Sequence, residues 1–138
     1  NTMATDLERV GDLARNIAGC ARRLCERDPV AVPAELKILA EACQRALSES
    51  LGAFADLDVD RARAVIAADN EIDAIESAFV RGAIARIQAD PATSAQQIDL
   101  MFVARNLERV GDHATNIAEH VVLVAESKNL KHREKLSR

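Results

Sequence analysis

Residues 6–18 read DLERVGDLARNIA, and residues 106–118 read NLERVGDHATNIA. Ten of the thirteen positions are identical; the exceptions are 6/106, 13/113 and 15/115. A match of that length inside one short chain marks an internal duplication. Both copies are helical in pattern. In the second, Leu107, Val110, Ala114, Ile117, Ala118 and Val121 recur at i, i+3, i+4 spacing. The 100-residue offset is about the length of a three-helix unit. The chain therefore reads as one complete unit preceded by the last helix of another.

The remaining sequence supports this reading. Pro and Gly are scarce, at three and five residues, which favours helix. The alternating runs and Asn-Gly turns of strands are missing. The first helix is expected from about Thr2 to Cys25. ERDPVAVPAE then breaks it at Pro29 and Pro33. The second helix starts near Pro33, a first-turn proline, and places Leu36, Leu39, Ala40, Cys43 and Leu47 on one face, with Gly52 near its end. The third begins near Asp58 or Asp60 and continues to Gln88, with a stripe of Ile72, Ile75, Phe79, Ala83 and Ile87. In ADPATSA, Pro91 is the breaker and Thr93 or Ser94 the cap. The fourth helix spans about Ala95 to Ser127.

Long helices on short connections pack as antiparallel neighbours. The expected fold is all-α, an antiparallel bundle of four long helices. Residues 1–28 form the last helix of a first repeat, 33–127 a complete second repeat, and 128–138 a basic, solvated and frayed tail.

Composition narrows the function. With 49% hydrophobic and 29% charged residues, the 138-residue chain can bury a single core. Net charge is −4, and three Phe are the only aromatics, so neither a phosphate-neutralising surface nor base-stacking platforms are on offer. No nucleic-acid partner is expected. Cys20, Cys25 and Cys43 are odd in number and form no Cys-x-x-Cys, which fits reduced, buried thiols of a cytoplasmic protein. No apolar run is long enough to insert into a membrane. A helical pattern that begins almost at Asn1 is expected of a piece cut from a longer protein.

The chemistry lies in the carboxylates. Glu8 and Asp12, and Glu108 and Asp112, stand four apart, which puts each pair on one helical face. Asp69 and Asp73 form a third pair in ADNEIDAIE. If the third and fourth helices lie side by side, four carboxylates converge, a donor set for hard or borderline cations. At ~100° per residue, Glu108 and Asp112 lie roughly 130–170° from the centre of the apolar stripe. A metal there is expected to face the surface and be open to water. Di-iron bundles need inward ligands and Glu-x-x-His. No acid here has His three residues later. The plain alternative is that these acids are solvated polar-face residues. Gly11 and Gly111, inside helices, point to a close neighbour in both copies. His113 has Leu13 as its counterpart and reads as an ordinary, partly exposed His rather than a ligand. Arg9 and Arg109, and Asn16 and Asn116, either orient the carboxylates or form surface pairs.

LERVGDLARNIA and LERVGDHATNIAEHV resemble the signature helix of the PhoU family, accessory regulators of bacterial phosphate uptake and signalling. DNEID ahead of AIESAF resembles that family's other acidic helix. The resemblance implies two similar three-helix bundles, each with a multinuclear metal site built from two E(D)-x-x-x-D segments. Here one site would use Asp69, Asp73, Glu108 and Asp112, and the other would retain only Glu8 and Asp12. Metal ions, divalent or trivalent (Mg, Mn, Fe or Zn), are the cofactors implied. The first helix is then expected to pack on the remaining bundle as a fourth helix, or to pair with another copy in a dimer. The implied role is to restrain the phosphate-starvation response by linking the phosphate ABC transporter ATPase to a sensor histidine kinase, without catalysis. Two other readings compete: a metal-dependent hydrolase on the carboxylate cluster, and a plain helical oligomerisation module.

Overall fold

A computed structural model describes residues 2–138, excluding the side chain of Thr2. Four helices follow one another: α1 (Thr2–Glu26), α2 (Ala34–Asp56), α3 (Val59–Ala89) and α4 (Ser94–Leu136), with a short 3-10 turn at Pro91–Thr93. Each boundary has a local cause. Pro33 sits just outside α2 with extended backbone (φ −60°, ψ 142°), one residue earlier than a first-turn proline. Leu57 ends α2 in the left-handed region (φ 52°), returning its N–H to the Ala53 and Phe54 carbonyls. Asp58 starts α3 by accepting the Arg61 N–H at 3.1 Å. Thr93 flanks α4 without a side-chain cap; its hydroxyl donates instead to the Asp90 carbonyl.

The chain runs up and down. Arg86 on Gln97, Glu76 beside Arg105 and Thr115 on Asp69 set α3 antiparallel to α4. Asp6 on His113, Asn16 on Asn106 and Arg23 on Asp99 do the same for α1 and α4. Helix α4 is the hub: it packs against α1, α2 and α3, whereas among the described residues α1 packs on α4 alone. Helix α1 packs on the bundle as a fourth helix, one of the two expectations for it.

The core gathers where α2, α3 and α4 meet. Leu39 and Cys43 of α2, Ile72 and Phe79 of α3, and Leu100, Ala118 and Val121 of α4 are buried. Each large apolar side chain removed from water contributes roughly 1.5–3 kcal/mol. Leu107 of the sequence stripe is only partly buried. At Gly52 the Arg61 guanidinium crosses the space a Cβ would fill on its way to Glu49.

Two expectations change. The 128–138 stretch is not frayed coil: α4 runs unbroken to Leu136, although every side chain beyond Ala125 is exposed. Lys, Arg, Glu and Leu in that stretch are good helix formers, so the long helix simply propagates. All three thiols are free, but only Cys20 and Cys43 are buried; Cys25 is exposed because it lies on the side of α1 that α4 does not reach.

Candidate metal centre

Helices α3 and α4 place the acids. Asp69 and Asp73 lie one turn apart on α3, and Glu108 and Asp112 one turn apart on α4. Gly111 lies in the seam, where a Cβ would rest in van der Waals contact 3.4 Å from Ile72 and 3.8 Å from the Cys43 sulfur. With the seam this close, carboxylate oxygens of Asp69, Asp73 and Asp112 all come within 4.8 Å of one another. Glu108 joins the group at hydrogen-bonding range of Asp112 and Asp73.

The cluster sits at the surface and is partly covered by the helix seam. Glu108, Asp69 and Asp112 are half-buried, not exposed. The side of α4 opposite its apolar stripe is not solvent, because α3 lies against it.

Crowding shows in the protonation of the group. Burial, then Asp112 and Asp73, push Glu108 up to about 8. Burial, then Asp73 and Asp112, raise Asp69, while the Thr115 hydroxyl partly offsets this. Burial, then Glu108, push the Cys43 thiol up to about 12, so beneath the cluster it remains a neutral S–H. Asp73 Oδ1 is buried with no hydrogen-bond partner. A buried carboxylate oxygen without a partner is costly unless a cation or donor meets it. Converging carboxylates and an orphaned oxygen fit a hard cation held by oxygen atoms. No His and no ionised thiolate stands among these donors. Thr115 fixes Asp69 from behind, its hydroxyl 3.2 Å from Asp69 Oδ1 and 3.1 Å from the Gly111 carbonyl.

A family model described as the PhoU domain matches residues 36–121. The chain belongs to the PhoU family. It is 40% identical over 118 residues to a phosphate-specific transport system accessory protein PhoU homolog of Caulobacter vibrioides, covering 85% of this chain and 51% of that protein. The protein of the same name from Pseudomonas aeruginosa is 33% identical over 128 residues, covering 92% and 53%. The crystal structure of PhoU from Pseudomonas aeruginosa superposes with a TM-score of 0.88 at 32% identity, over 91% of this chain and 60% of that one. The chain thus spans about half the length of the curated PhoU relatives it matches. No helix among the described residues is long and apolar enough to cross a membrane.

The first copy of the PhoU signature is differently placed. Glu8 and Asp12 are exposed, and Asp12 pairs with the exposed Arg15. Nothing lies within 4 Å of a Cβ on Gly11. Arg9, Arg109 and Asn116 are exposed, so none is seen orienting the carboxylates.

Of the three differences between the copies only His113 against Leu13 drew a reading from the sequence, yet each difference has a job. Asp6, 8% exposed, lies 2.7 Å from His113 Nδ1 and ties α1 to α4. Asn106 accepts from Asn16 at 3.3 Å, and Leu13 is buried. Thr115 holds Asp69, whereas Arg15 could not occupy that buried place. The departures from the repeat were the available signal.

Proposed function

We infer that this PhoU-family chain carries the regulatory second repeat of a phosphate-transport accessory protein. It binds a metal ion at Asp69, Asp73, Glu108 and Asp112. Through protein–protein contacts between the phosphate ABC transporter ATPase and a sensor histidine kinase, it restrains phosphate uptake and the phosphate-starvation response. The observation that carries this reading is the carboxylate convergence, with oxygens of Asp69, Asp73 and Asp112 within 4.8 Å of one another and Asp73 Oδ1 buried and unpartnered. Bound metal would neutralise charges that otherwise repel across the α3–α4 seam and so stiffen the bundle that partners read. The cluster's work here is structural. Mg, Mn, Fe and Zn are all admitted by an oxygen donor set, with availability deciding among them.

The test combines metal analysis with a phosphate-regulon reporter. Purified protein is expected to retain metal after gel filtration, and Asp73→Ala and Asp112→Ala protein to retain none. In cells the same substitutions are expected to release the reporter from repression in phosphate-rich medium. Unchanged repression by metal-free variants would remove metal from the regulatory role. Turnover of a phosphoester by metal-loaded protein would instead favour a hydrolase.

A further inference from the structure

Two of the three departures from the repeat lie on one seam. Among the described residues α1 packs on α4 alone, so its buried Asp6 and Leu13, with the half-buried Val10 and Ile17, face α4. On α4 the opposing stripe is Asn106, Val110, His113 and Ile117, at the 4-3-4 spacing of a helix-pairing seam. Asn106 and His113 touch α1 directly. The two stripes occupy the same repeat positions: 6/106, 10/110, 13/113 and 17/117.

Duplicated helices that meet antiparallel through the same positions are related by an approximate twofold axis across the seam, as in an isologous interface. Exchanging the copies about that axis turns the pair 6/113 into the pair 13/106. The first pair holds Asp6, 8% exposed, 2.7 Å from His113 Nδ1. The second holds Leu13 and Asn106, both buried; the Asn106 amide is already satisfied by Asn16 and the Phe102 carbonyl. Copies identical at these positions would give two equal pairs, and either helix could then pair with itself in a second copy. The residues present suit only unlike copies. In an α1–α1 pair about the same axis, each Asp6 would meet Leu13 of the other copy, leaving two buried carboxylates without a donor.

We propose that positions 6/106 and 13/113 form a pairing code. Asp6 with His113, and Leu13 with Asn106, commit α1 to α4 and deny α1 the α1 of a second copy. Charge on the imidazole is not required, because a neutral ring carrying its proton on Nδ1 donates to the carboxylate.

The test uses the full chain and reads the alkylation rate of Cys20, buried where α1 meets α4; protection of Cys43 shows that the three-helix core is folded. His113→Leu leaves Asp6 buried without a donor and is expected to raise the Cys20 rate by about tenfold or more. Exchanging the copies at all four positions (Asp6→Asn, Leu13→His, Asn106→Asp and His113→Leu together) moves the polar pair to the mirrored place. It is expected to return Cys20 to near-native protection, and omitting Leu13→His from the set to lose that recovery. An unchanged Cys20 rate in His113→Leu, an exchange no better protected than His113→Leu, or a recovery that does not need Leu13→His overturns the proposal. Sedimentation velocity then compares two variants that lose the same contact. Asp6→Leu makes positions 6 and 13 of α1 alike and is expected to self-associate about tenfold more tightly than His113→Leu, which keeps Asp6. Adding Leu13→Glu to Asp6→Leu is expected to abolish that association. Equal self-association of Asp6→Leu and His113→Leu overturns the exclusion of a second copy.

Discussion

In α4 the Glu108–Asp112 face lies under α3; in α1 the Glu8–Asp12 face, identical in sequence, lies in solvent. Both segments are helical and both bury their a/d-like side against a neighbour. What differs is the partner helix. Asp69, Asp73 and Ile72 of α3 turn the second copy from a polar surface into a half-buried carboxylate cluster in which Glu108 and Asp69 are raised. Ligand spacing along one helix therefore does not make a site; the facing helix does. The comparison can be broken by substituting the same residue in each copy.

The largest contrast is expected from the acids. At 100 times its dissociation constant, a metal stabilises the protein by ~2.7 kcal/mol. Asp112→Ala and Asp73→Ala should lose that increment in thermal unfolding with and without Mn²⁺. Glu8→Ala and Asp12→Ala should keep all of it. Without metal, Asp73→Ala should be more stable than the native chain by about 1 kcal/mol, because it removes a buried oxygen that lacks a partner. A metal increment lost equally from both copies would end the distinction between them.

Next come the glycines. Gly111→Leu drives a side chain into Ile72 and the Cys43 sulfur and should cost ~1–3 kcal/mol. Gly11→Leu meets open space and should gain up to ~1 kcal/mol from helix propensity. Urea denaturation of the pair measures the difference. Equal effects would mean that α3 does not approach α4 as described.

These two contrasts show where the sequence was legible. Four helices could be read from Pro29, Pro33, Pro91 and the apolar spacing, because breakers and periodicity are local. The acids could be read as pairs for the same reason. Their half-burial could not. The angle between Glu108 and the Leu107 stripe is a property of α4 alone, and it does not show that α3 lies against the side Glu108 occupies. Nor was the Asp6–His113 contact legible: it joins residues 107 apart. Continuation of α4 through 128–138 was hidden by charge, which marks exposure but not coil.

Glu108 gives a smaller effect with a definite sign. Its carboxyl titrates near 4.5 when unfolded and at about 8 when folded. Below pH 4.5 both states hold the proton, and the group contributes nothing to pH dependence. As pH rises toward 8 the unfolded chain releases the proton first, so metal-free stability falls; above 8 the slope vanishes. Glu108→Gln should flatten that decline relative to the native chain in urea midpoints from pH 5 to 8. At pH 7, metal binding should displace the Glu108 proton, read by calorimetry as a heat that varies with the buffer's ionisation enthalpy. Glu8, in solvent, should add nothing to either readout. A decline that survives Glu108→Gln would place the pH dependence elsewhere.

The mildest comparison leaves stability untouched and asks which sides of α1 and α2 are covered. Cys25 is exposed on the free side of α1, while Cys43 is buried below the carboxylates with its thiol held up to about 12. Alkylation requires both access and thiolate. Iodoacetamide at pH 8 should therefore modify Cys25 within minutes and leave Cys43 intact until the chain unfolds, with peptide mass spectrometry separating the two. Cys20 faces α4, is 3% exposed and should stay unmodified with Cys43. If Cys20 instead reacted as fast as Cys25, α1 would be detaching from α4 faster than the reagent reacts. The salt links of Arg23 and Arg27 to the buried Asp99 would then not be holding the first copy in place. Protection of Cys20 in the native chain, lost on Asp99→Ala while Cys43 stays protected, would show that α1 is fastened separately from the three-helix core around the acids.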